Sequence, residues 1–449
     1  MAGSYSYRWL SRLAVVAAAV GTAWPAAAGP WRRHTIDNSY FGADGARPEF
    51  GEFHARPDLA AVWEQSGITT LLSWPEPALV ACEWPHIVVG ATPAAEDAFA
   101  IDLDGDGDRD VVVCMEGSVR RVSFFESTAE GFQEHVVPLD PYKWMIAEPV
   151  DLDHDGRVDV VTGGRFVDGD QGQLAWLKPG PEPTAIDQWT SQPIAPVGWP
   201  MAILALDMDD DGDDDLVIAD RYGATRGLRW LENPHPAVSK GPWVAHTIGL
   251  TNRRVVAAAA TDLDNDGSID FVAAYQGVNN VPPGLVILMG GAAGWSESQV
   301  PLPAPFPAPK SVKLDDFNDD GLLDIALSCE QAYKELSGVF VFMQEASGGW
   351  RLVDVSGPEG TKFDVLTALD VDGDGDLDLI TTEEGDNGLF AALGVVWYEN
   401  PLRRTPSLIG STIPLEPELC EEIPAAWLIE LSRLLSGTTP QSVTPPSRR

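Results

Sequence analysis

Basic residues are scarce in this chain of 449 residues: 29 Lys and Arg stand against 68 Asp and Glu, a formal net charge of −39. Nucleic acids and anionic membranes are recognised through clustered cations, so nucleic-acid binding drops out at once. Cysteine is sparse too. Cys82, Cys114, Cys329 and Cys420 lie too far apart to show a disulfide framework or a zinc spacing, and Cys114 and Cys329 fall on expected strands, where they read as buried thiols. Long apolar runs are confined to Leu13–Trp24, which follows Arg8 and Arg12 and precedes Pro-Ala-Ala-Ala-Gly at 25–29. That order of charged, apolar and small residues is the pattern of a secretory signal peptide. The run falls short of the roughly 20 residues needed to cross a bilayer. Cleavage near Ala28, no membrane span in the mature chain, and a periplasmic, cell-surface or extracellular destination are therefore expected.

Familiar catalytic signatures are missing as well. There is no Gly-x-Ser-x-Gly elbow, no glycine-rich phosphate loop and no His-x-x-x-His pair, and the seven histidines sit one to a segment. His34, His135 and His246 each follow an aromatic by three residues (Trp31, Phe132, Trp243), a repeated position that suggests packing at a rim rather than catalysis.

What the chain does have is a nine-residue acidic loop, present six times. Oxygen-bearing side chains stand at positions 1, 3, 5 and 9 of each copy, with glycine at position 6. The first three copies supply Asp102, Asp104, Asp106 and Asp110; Asp151, Asp153, Asp155 and Asp159; and Asp207, Asp209, Asp211 and Asp215. The other three supply Asp262, Asp264, Asp266 and Asp270; Asp316, Asn318, Asp320 and Asp324; and Asp370, Asp372, Asp374 and Asp378. Carboxylates at alternate positions repel one another unless a hard cation sits among them, and calcium accepts six to eight oxygens in a flexible shell. Glycine at position 6 permits the sharp turn that lets both halves of the loop face one ion. An EF-hand shares the first half of this pattern but closes with a bidentate Glu at position 12. Here that position is Val113 or Thr162, and the flanks, such as Ala-Ile-Leu-Ala-Leu before one loop and Val-Val-Val after another, read as short buried strands. The unit is strand, metal loop, strand.

The loops recur every 49 to 56 residues, and stepping back from Asp102 by a similar length reaches a worn copy. Phe50, Glu52, His54, Ala55 and Asp58 keep its shape and final Asp but lose the ligands at positions 1 and 5 and the glycine. A second signature keeps the same register. An aromatic followed five residues later by Ile or Val occurs at Trp31/Ile36, Trp84/Val89, Phe132/Val137, Trp189/Ile194, Trp243/Ile248, Trp295/Val300 and Trp350/Val355. A third strand lies between, as in Leu-Ala-Trp176-Leu-Lys-Pro, Leu-Arg-Trp230-Leu-Glu-Asn-Pro and Val-Val-Trp397-Tyr-Glu-Asn-Pro. Four strands per unit and seven units predict an all-β, seven-bladed propeller. Because the Trp31 strand precedes every loop and the last unit lacks an outer strand, residues 31–37 are expected to close the ring, with Ser407–Ile413 as the rival edge. Closure removes the exposed sheet edge of an open array.

These residues resemble the FG-GAP/VCBS repeat family, whose best-known members form the seven-bladed propeller of integrin α subunits. The resemblance covers about residues 31–400 and implies calcium in each intact loop, about six sites, on the ring's lower face. The Gly-Ala-Pro piece that helps name the family is missing and Phe-Gly occurs only at Phe41-Gly42 and Phe50-Gly51, so the chain is closer to the secreted bacterial VCBS type and an integrin-like partner is not carried over. The expected organisation is a signal peptide at 1–28, the propeller at 29–404, and an extension at 405–449 with a short helix around Trp427, Leu431, Leu434 and Leu435 before a disordered end.

Topology then says where a ligand would bind. With the metal loops joining first and second strands, the starts of the first strands share the opposite face with the turns between second and third strands. Lys143, Trp144, Trp199, Arg254, Lys310 and Lys362 occupy the former, and Arg165, Arg221, Tyr222, Arg226, Tyr275, Asn279, Glu383 and Glu384 the latter. The candidate ligand face is Lys143, Trp199, Arg254, Lys362, Arg226 and Tyr275. In so acidic a protein, basic and aromatic groups at a channel mouth suit an anionic or carbohydrate ligand. The sequence thus favours a binding module for a glycan or an extracellular or cell-surface protein. The alternative is an enzyme resembling propeller-based sugar dehydratases or polysaccharide lyases, with Lys143 and Glu383 as candidate partners.

Overall fold

In the computed structural model the described residues are 30–50, 56–166, 170–234, 242–278, 281–385 and 392–403. The expected signal peptide, Glu52, His54 and Ala55 of the worn loop, Asn279, the rival edge at 407–413 and the C-terminal extension lie outside them.

Strands form where the apolar runs flank the acidic loops, and they group into seven four-stranded antiparallel sheets. Blade 1 is built from β2 (Ala43–Pro48), β3 (Leu59–Trp63), β4 (Ile68–Leu72) and β5 (His86–Ala91), with β1 (Arg32–Asp37) preceding it. Blade 2 runs through β6 (Ala95–Ile101), β7 (Asp110–Met115), β8 (Arg121–Thr128) and β9 (Gly131–Val136). Blade 3 contains β10 (Lys143–Val150), β11 (Asp159–Arg165), β12 (Gly172–Lys178) and β13 (Thr190–Val197). Blade 4 follows as β14 (Pro200–Leu206), β15 (Asp215–Asp220), β16 (Gly227–Glu232) and β17 (Val244–Gly249). Blade 5 takes β18 (Arg254–Thr261), β19 (Asp270–Gln276), β20 (Gly284–Met289) and β21 (Ser296–Val300). Blade 6 takes β22 (Ala308–Asp315), β23 (Asp324–Glu330), β24 (Val339–Gln344) and β25 (Trp350–Asp354), and β26 (Phe363–Leu369), β27 (Asp378–Glu383) and β28 (Gly394–Glu399) begin blade 7.

Position within a blade explains each strand's composition. Second strands are covered on both faces, so they are rich in apolar and small residues without strict alternation; β7 is buried at all six positions. Fourth strands face outward, and β21 is exposed at four of its five. Apolar clusters lie between neighbouring blades: Phe99, Val112 and Phe124 of blade 2 pack with Trp144, Val160 and Trp189 of blade 3. Six of the seven residues five beyond the outer-strand aromatics, including Ile36, Val137, Val300 and Val355, are buried, and the seventh, Ile194, packs partly buried against such a cluster, which is why that spacing recurs.

The ring closes as the sequence indicates. β1 pairs antiparallel with β28, completing blade 7 in the order β1-β28-β27-β26. Arg32 stands opposite Glu399 and His34 opposite Trp397. The His34 and Trp397 rings stack at 4.3 Å, while Trp397 Nε1 donates to the Val80 carbonyl of blade 1 at 3.1 Å. Cys114 and Cys329 are free and buried, as expected, whereas Cys82 is disulfide-bonded, a pairing that spacing along the chain did not show. Among the described residues no helix is long and apolar enough to cross a membrane.

Candidate metal loops and the opposite channel mouth

All six loops fold alike. Position 1 accepts two backbone N–H groups: Gly105 N and Gly107 N reach Asp102 at 2.8 and 3.1 Å, and Asp211 N and Gly212 N reach Asp207 at 3.1 Å each. Position 4 adopts the left-handed conformation, as Gly105, His154, Asp210, Asn265, Asp319 and Gly373, with φ between 55° and 79°. Position 6 lies at φ 85° to 95° in every copy. A Cβ at Gly107, Gly156, Gly212, Gly267 or Gly321 would meet nothing within 4 Å, so glycine there answers a conformational demand and not a lack of space.

Position 9 ties each loop to its blade. Asp215 is buried and accepts Met208 N at 3.0 Å and Asn233 N at 2.7 Å; Asp110, Asp270, Asp324 and Asp378 repeat the arrangement with Ser127, Gly290, Gln344 and Asn400. In the loops at Asp102, Asp151, Asp207 and Asp262, positions 1, 3 and 9 bring one carboxylate oxygen each within 4.8 Å of one another. Burial, then the neighbouring carboxylates against the backbone donors, pushes the carboxyls of Asp110, Asp215 and Asp324 up to about 7 and that of Asp378 to about 9. Such crowding of oxygens, with neither thiolate nor imidazole among them, fits a hard divalent cation, which would restore the ionised forms together.

A further residue faces each loop. The third-strand residue that continues the ladder opposite position 9 is Glu126, Lys178, Glu232, Met289, Met343 and Glu399 in blades 2 to 7 respectively. Its charge is felt at position 3, where Glu126 pushes Asp104 upward and Glu232 does the same to Asp209, in each case adding to the effect of burial. The three glutamates are held by the three histidines of the sequence pattern: His135–Glu126 and His246–Glu232 at 2.8 Å and His34–Glu399 at 2.9 Å. The rings stack on Phe124, Trp230 and Trp397, so the expected rim packing is joined by a hydrogen bond that the sequence did not reveal. In blade 3 the ammonium of Lys178 instead sits between Asp153 and Asp155, 2.7 Å from the latter's Oδ2. The Asp155 carboxyl is held low, at about 2: burial raises it, but Arg157 and Lys178 more than compensate. The asparagines of the Glu-Asn-Pro strings join neighbouring loops. Asn233 Nδ2 donates to Leu152 O at 3.1 Å, and Asn400 Nδ2 to Phe317 O at 2.9 Å.

At the channel mouth opposite the loops, the residues divide by charge. Across blades 3 to 5, Trp199 stacks on Tyr222 at 5.2 Å, with the guanidinium of Arg165 3.7 Å and that of Arg221 4.9 Å from the Trp199 ring centre. Arg254 lies 4.5 Å from the Tyr222 ring and Arg253 4.4 Å from that of Tyr275. Buried Asp220 shapes this wall by accepting Gly198 N, Trp199 N and the Thr225 hydroxyl at 2.8, 2.7 and 2.6 Å. A Cβ on Gly198 would come within 1.9 Å of Tyr222 O, so only glycine allows the approach. The Nε groups of Arg221, Arg226 and Arg254 find no acceptor among the described residues. Exposed Phe166 and Tyr333 lie in second-to-third turns of the same face.

Across blades 6, 7 and 1 carboxylates and lysines converge. Lys362 contacts Glu384 and approaches Asp44 at 3.4 Å, and Lys310 binds Asp364 at 2.6 Å. Oxygens of Asp44, Glu64 and Glu384 lie within 4.8 Å of one another. Beside them is a cavity of about 430 Å³ lined by Glu64, Glu330, Tyr333, Lys362 and Glu384. Gln276 links the two halves, accepting from Arg221 at 2.5 Å and donating to Glu330 at 2.7 Å.

The candidate partners Lys143 and Glu383 each contact other groups. Lys143 faces Glu116 at 3.6 Å, and Glu383 is fully buried, accepting Thr361 N and Leu393 N at 2.8 and 2.7 Å. Trp144 likewise leaves the mouth for the core. Glu384, Lys310 and Lys362 do come together, whereas Asp44 and Asp364 at strand starts and Glu64 just after β3 were missed because an isolated carboxylate carries no motif.

Fold and loops define a seven-bladed β-propeller with acidic loops between first and second strands. Residues 102–162 and 316–381 match the family model described as an FG-GAP-like repeat, so the chain carries such repeats in at least these two places. No curated protein matches. Among solved structures the chain is similar to an α-L-arabinanase of Penicillium chrysogenum complexed with arabinobiose, at 15% identity over 68% of this chain and 92% of that one, with a TM-score of 0.43. It is also similar to a mutant α-L-arabinofuranosidase of Fusarium graminearum bound to an iminosugar inhibitor, at 14% identity over 68% and 93%, again with a TM-score of 0.43. Likeness at that level says nothing about chemistry.

Proposed function

We propose that the protein is an exported, calcium-stabilised propeller that binds an acidic carbohydrate, or an acidic patch of an extracellular protein, at the channel mouth opposite its loops. One observation carries this reading: the Trp199–Tyr222 stack is flanked by Arg165, Arg221 and Arg254, and the Nε donors of Arg221 and Arg254 have no acceptor among the described residues. Aromatic faces take up sugar rings, and guanidinium forks take up carboxylates. Calcium outside the cytosol is abundant enough to fill even weak loops, and each filled loop stabilises the platform by mass action.

A second reading, that of a carbohydrate-active enzyme, is favoured by Asp44, Glu64 and Glu384 meeting beside Lys362 in the adjoining cavity. Carboxyls and amines held at such range are what proton transfer requires. A glycan array comparing uronate-rich with neutral polysaccharides, run beside a turnover assay on the same polymers, tests both. Retention of uronate polymers by wild type and its loss in Trp199→Ala supports binding. Release of an ultraviolet-absorbing unsaturated sugar would transfer the assignment to the enzyme. Equal retention by wild type and Trp199→Ala would remove this wall from the reading.

A further inference from the structure

We infer that two of the seven blades carry their loop cation as a protein side chain, Lys178 in blade 3 and Arg109 in blade 1, so that the ring takes one divalent ion fewer than its six acidic motifs suggest. The inference rests on the calcium reading of the loops and concerns which of them are filled.

The blade 3 loop has a full set of aspartates, and by motif alone it is a metal site. Its surroundings differ at one point. On the third strand, opposite position 9, three blades present a glutamate (Glu126, Glu232, Glu399) and two a methionine (Met289, Met343). Blade 3 presents Lys178, whose ammonium contacts Asp153 Oδ2 and lies 2.7 Å from Asp155 Oδ2, the side chains of positions 3 and 5. Those are two of the oxygens a calcium ion would need, and the ammonium holding them adds a like charge within contact range of any entering ion. Its side chain is only 22% exposed, so making way for a metal means leaving both carboxylates and swinging outward. The same strand position is negative in blades 2, 4 and 7, neutral in blades 5 and 6 and positive in blade 3, so it grades the loops: the glutamate blades bind most firmly, the methionine blades less so, and blade 3 does without.

Blade 1 reaches the same end from another direction. Its worn loop retains Asp58, which still accepts Trp74 N at 3.1 Å as a position 9 aspartate should. The cation comes from next door. Arg109, at position 8 of the blade 2 loop, places Nε 2.9 Å from Glu49 Oε2 and 3.3 Å from Asp58 Oδ2. A guanidinium bridging two carboxylates does there what an ion does elsewhere, and it couples blade 1 to the loop of blade 2.

The test is a count of bound calcium in the full chain, by equilibrium dialysis with calcium alone, for wild type and for Lys178→Glu. Five ions in wild type and six in the variant are expected. Six in wild type, or an unchanged count in a folded Lys178→Glu protein, overturns the inference while leaving the calcium reading intact. No bound calcium at all overturns both. Peptide-level hydrogen exchange of wild type in calcium and in chelator needs no variant. Peptides spanning 102–126, 207–232 and 370–385 should lose protection on chelation while those spanning 151–178 keep theirs, and equal loss in all four refutes the assignment.

Discussion

Two aspartates of one loop, Asp209 and Asp215, separate what the ion contributes from what the loop's own hydrogen bonds contribute. Asp209 at position 3 is exposed, and its part in the reading is to ligate calcium. With calcium at about 100 times the loop's dissociation constant, one bound ion is worth about 2.7 kcal/mol, which Asp209→Ala should forfeit in calcium and hardly alter in chelator. Asp215 at position 9 is buried, and truncating it strands Met208 N and Asn233 N, at about 1–3 kcal/mol each. Asp215→Ala should therefore cost about 2–6 kcal/mol in chelator as well, and more in calcium. Denaturant unfolding of both variants with and without chelator gives all four values. If Asp209→Ala costs as much in chelator as in calcium, the loop is not organised by an ion. If Asp215→Ala is silent in chelator, position 9 is a ligand and nothing more.

Trp397→Ala should lower stability by about 3–5 kcal/mol, since it empties the seam between blades 7 and 1, where the ring is fully buried; a loss below about 1 kcal/mol, read by denaturant unfolding, would show that the seam tolerates a void. Asn400→Ala should cost about 1–3 kcal/mol, because it leaves the carbonyls of Phe317 and Leu377 without their donor. Hydrogen exchange should report that loss at the loops of both blades 6 and 7, and a change confined to blade 7 would argue against the coupling. Burial, then Asp44 and Glu116, raises the Glu96 carboxyl well above its ordinary value of 4.5. The folded state thus favours the protonated form, and its penalty grows as pH rises past that value. Glu96→Gln should raise Tm near pH 8 and change little near pH 4, and an equal effect at both would contradict that sign.

Periodic features were legible in the sequence because repetition turns weak local signals into a register. Position 9 of the loop, the aromatic five residues before a buried Ile or Val, and the early strand at Trp31 together specify seven blades and their closure by β1. The channel mouth was legible only as a place. Topology put Lys362, Glu384, Trp199 and Tyr222 on one face, but which cation meets which carboxylate depends on blade curvature: Glu383 is held by backbone donors of its own blade, and Lys143 meets Glu116. The Lys178 contact lay nearer to hand. Set beside Trp230-Leu-Glu232 and Trp397-Tyr-Glu399, the string Trp176-Leu-Lys178 already shows a reversed charge at one repeat position. Asp58 and Arg109 offered no such signal, since their partnership joins different blades.

A ring sealed by its first strand cannot be finished until its last strand has been made. His34 and Glu399, partners across that seam, are 365 residues apart, so at about 5–20 residues per second a ribosome takes roughly 20–70 s to deliver the second after the first. Throughout that interval the growing polypeptide holds an orphan strand with apolar Ile36 and no ladder to join, a target for chaperones or for pairing with another copy.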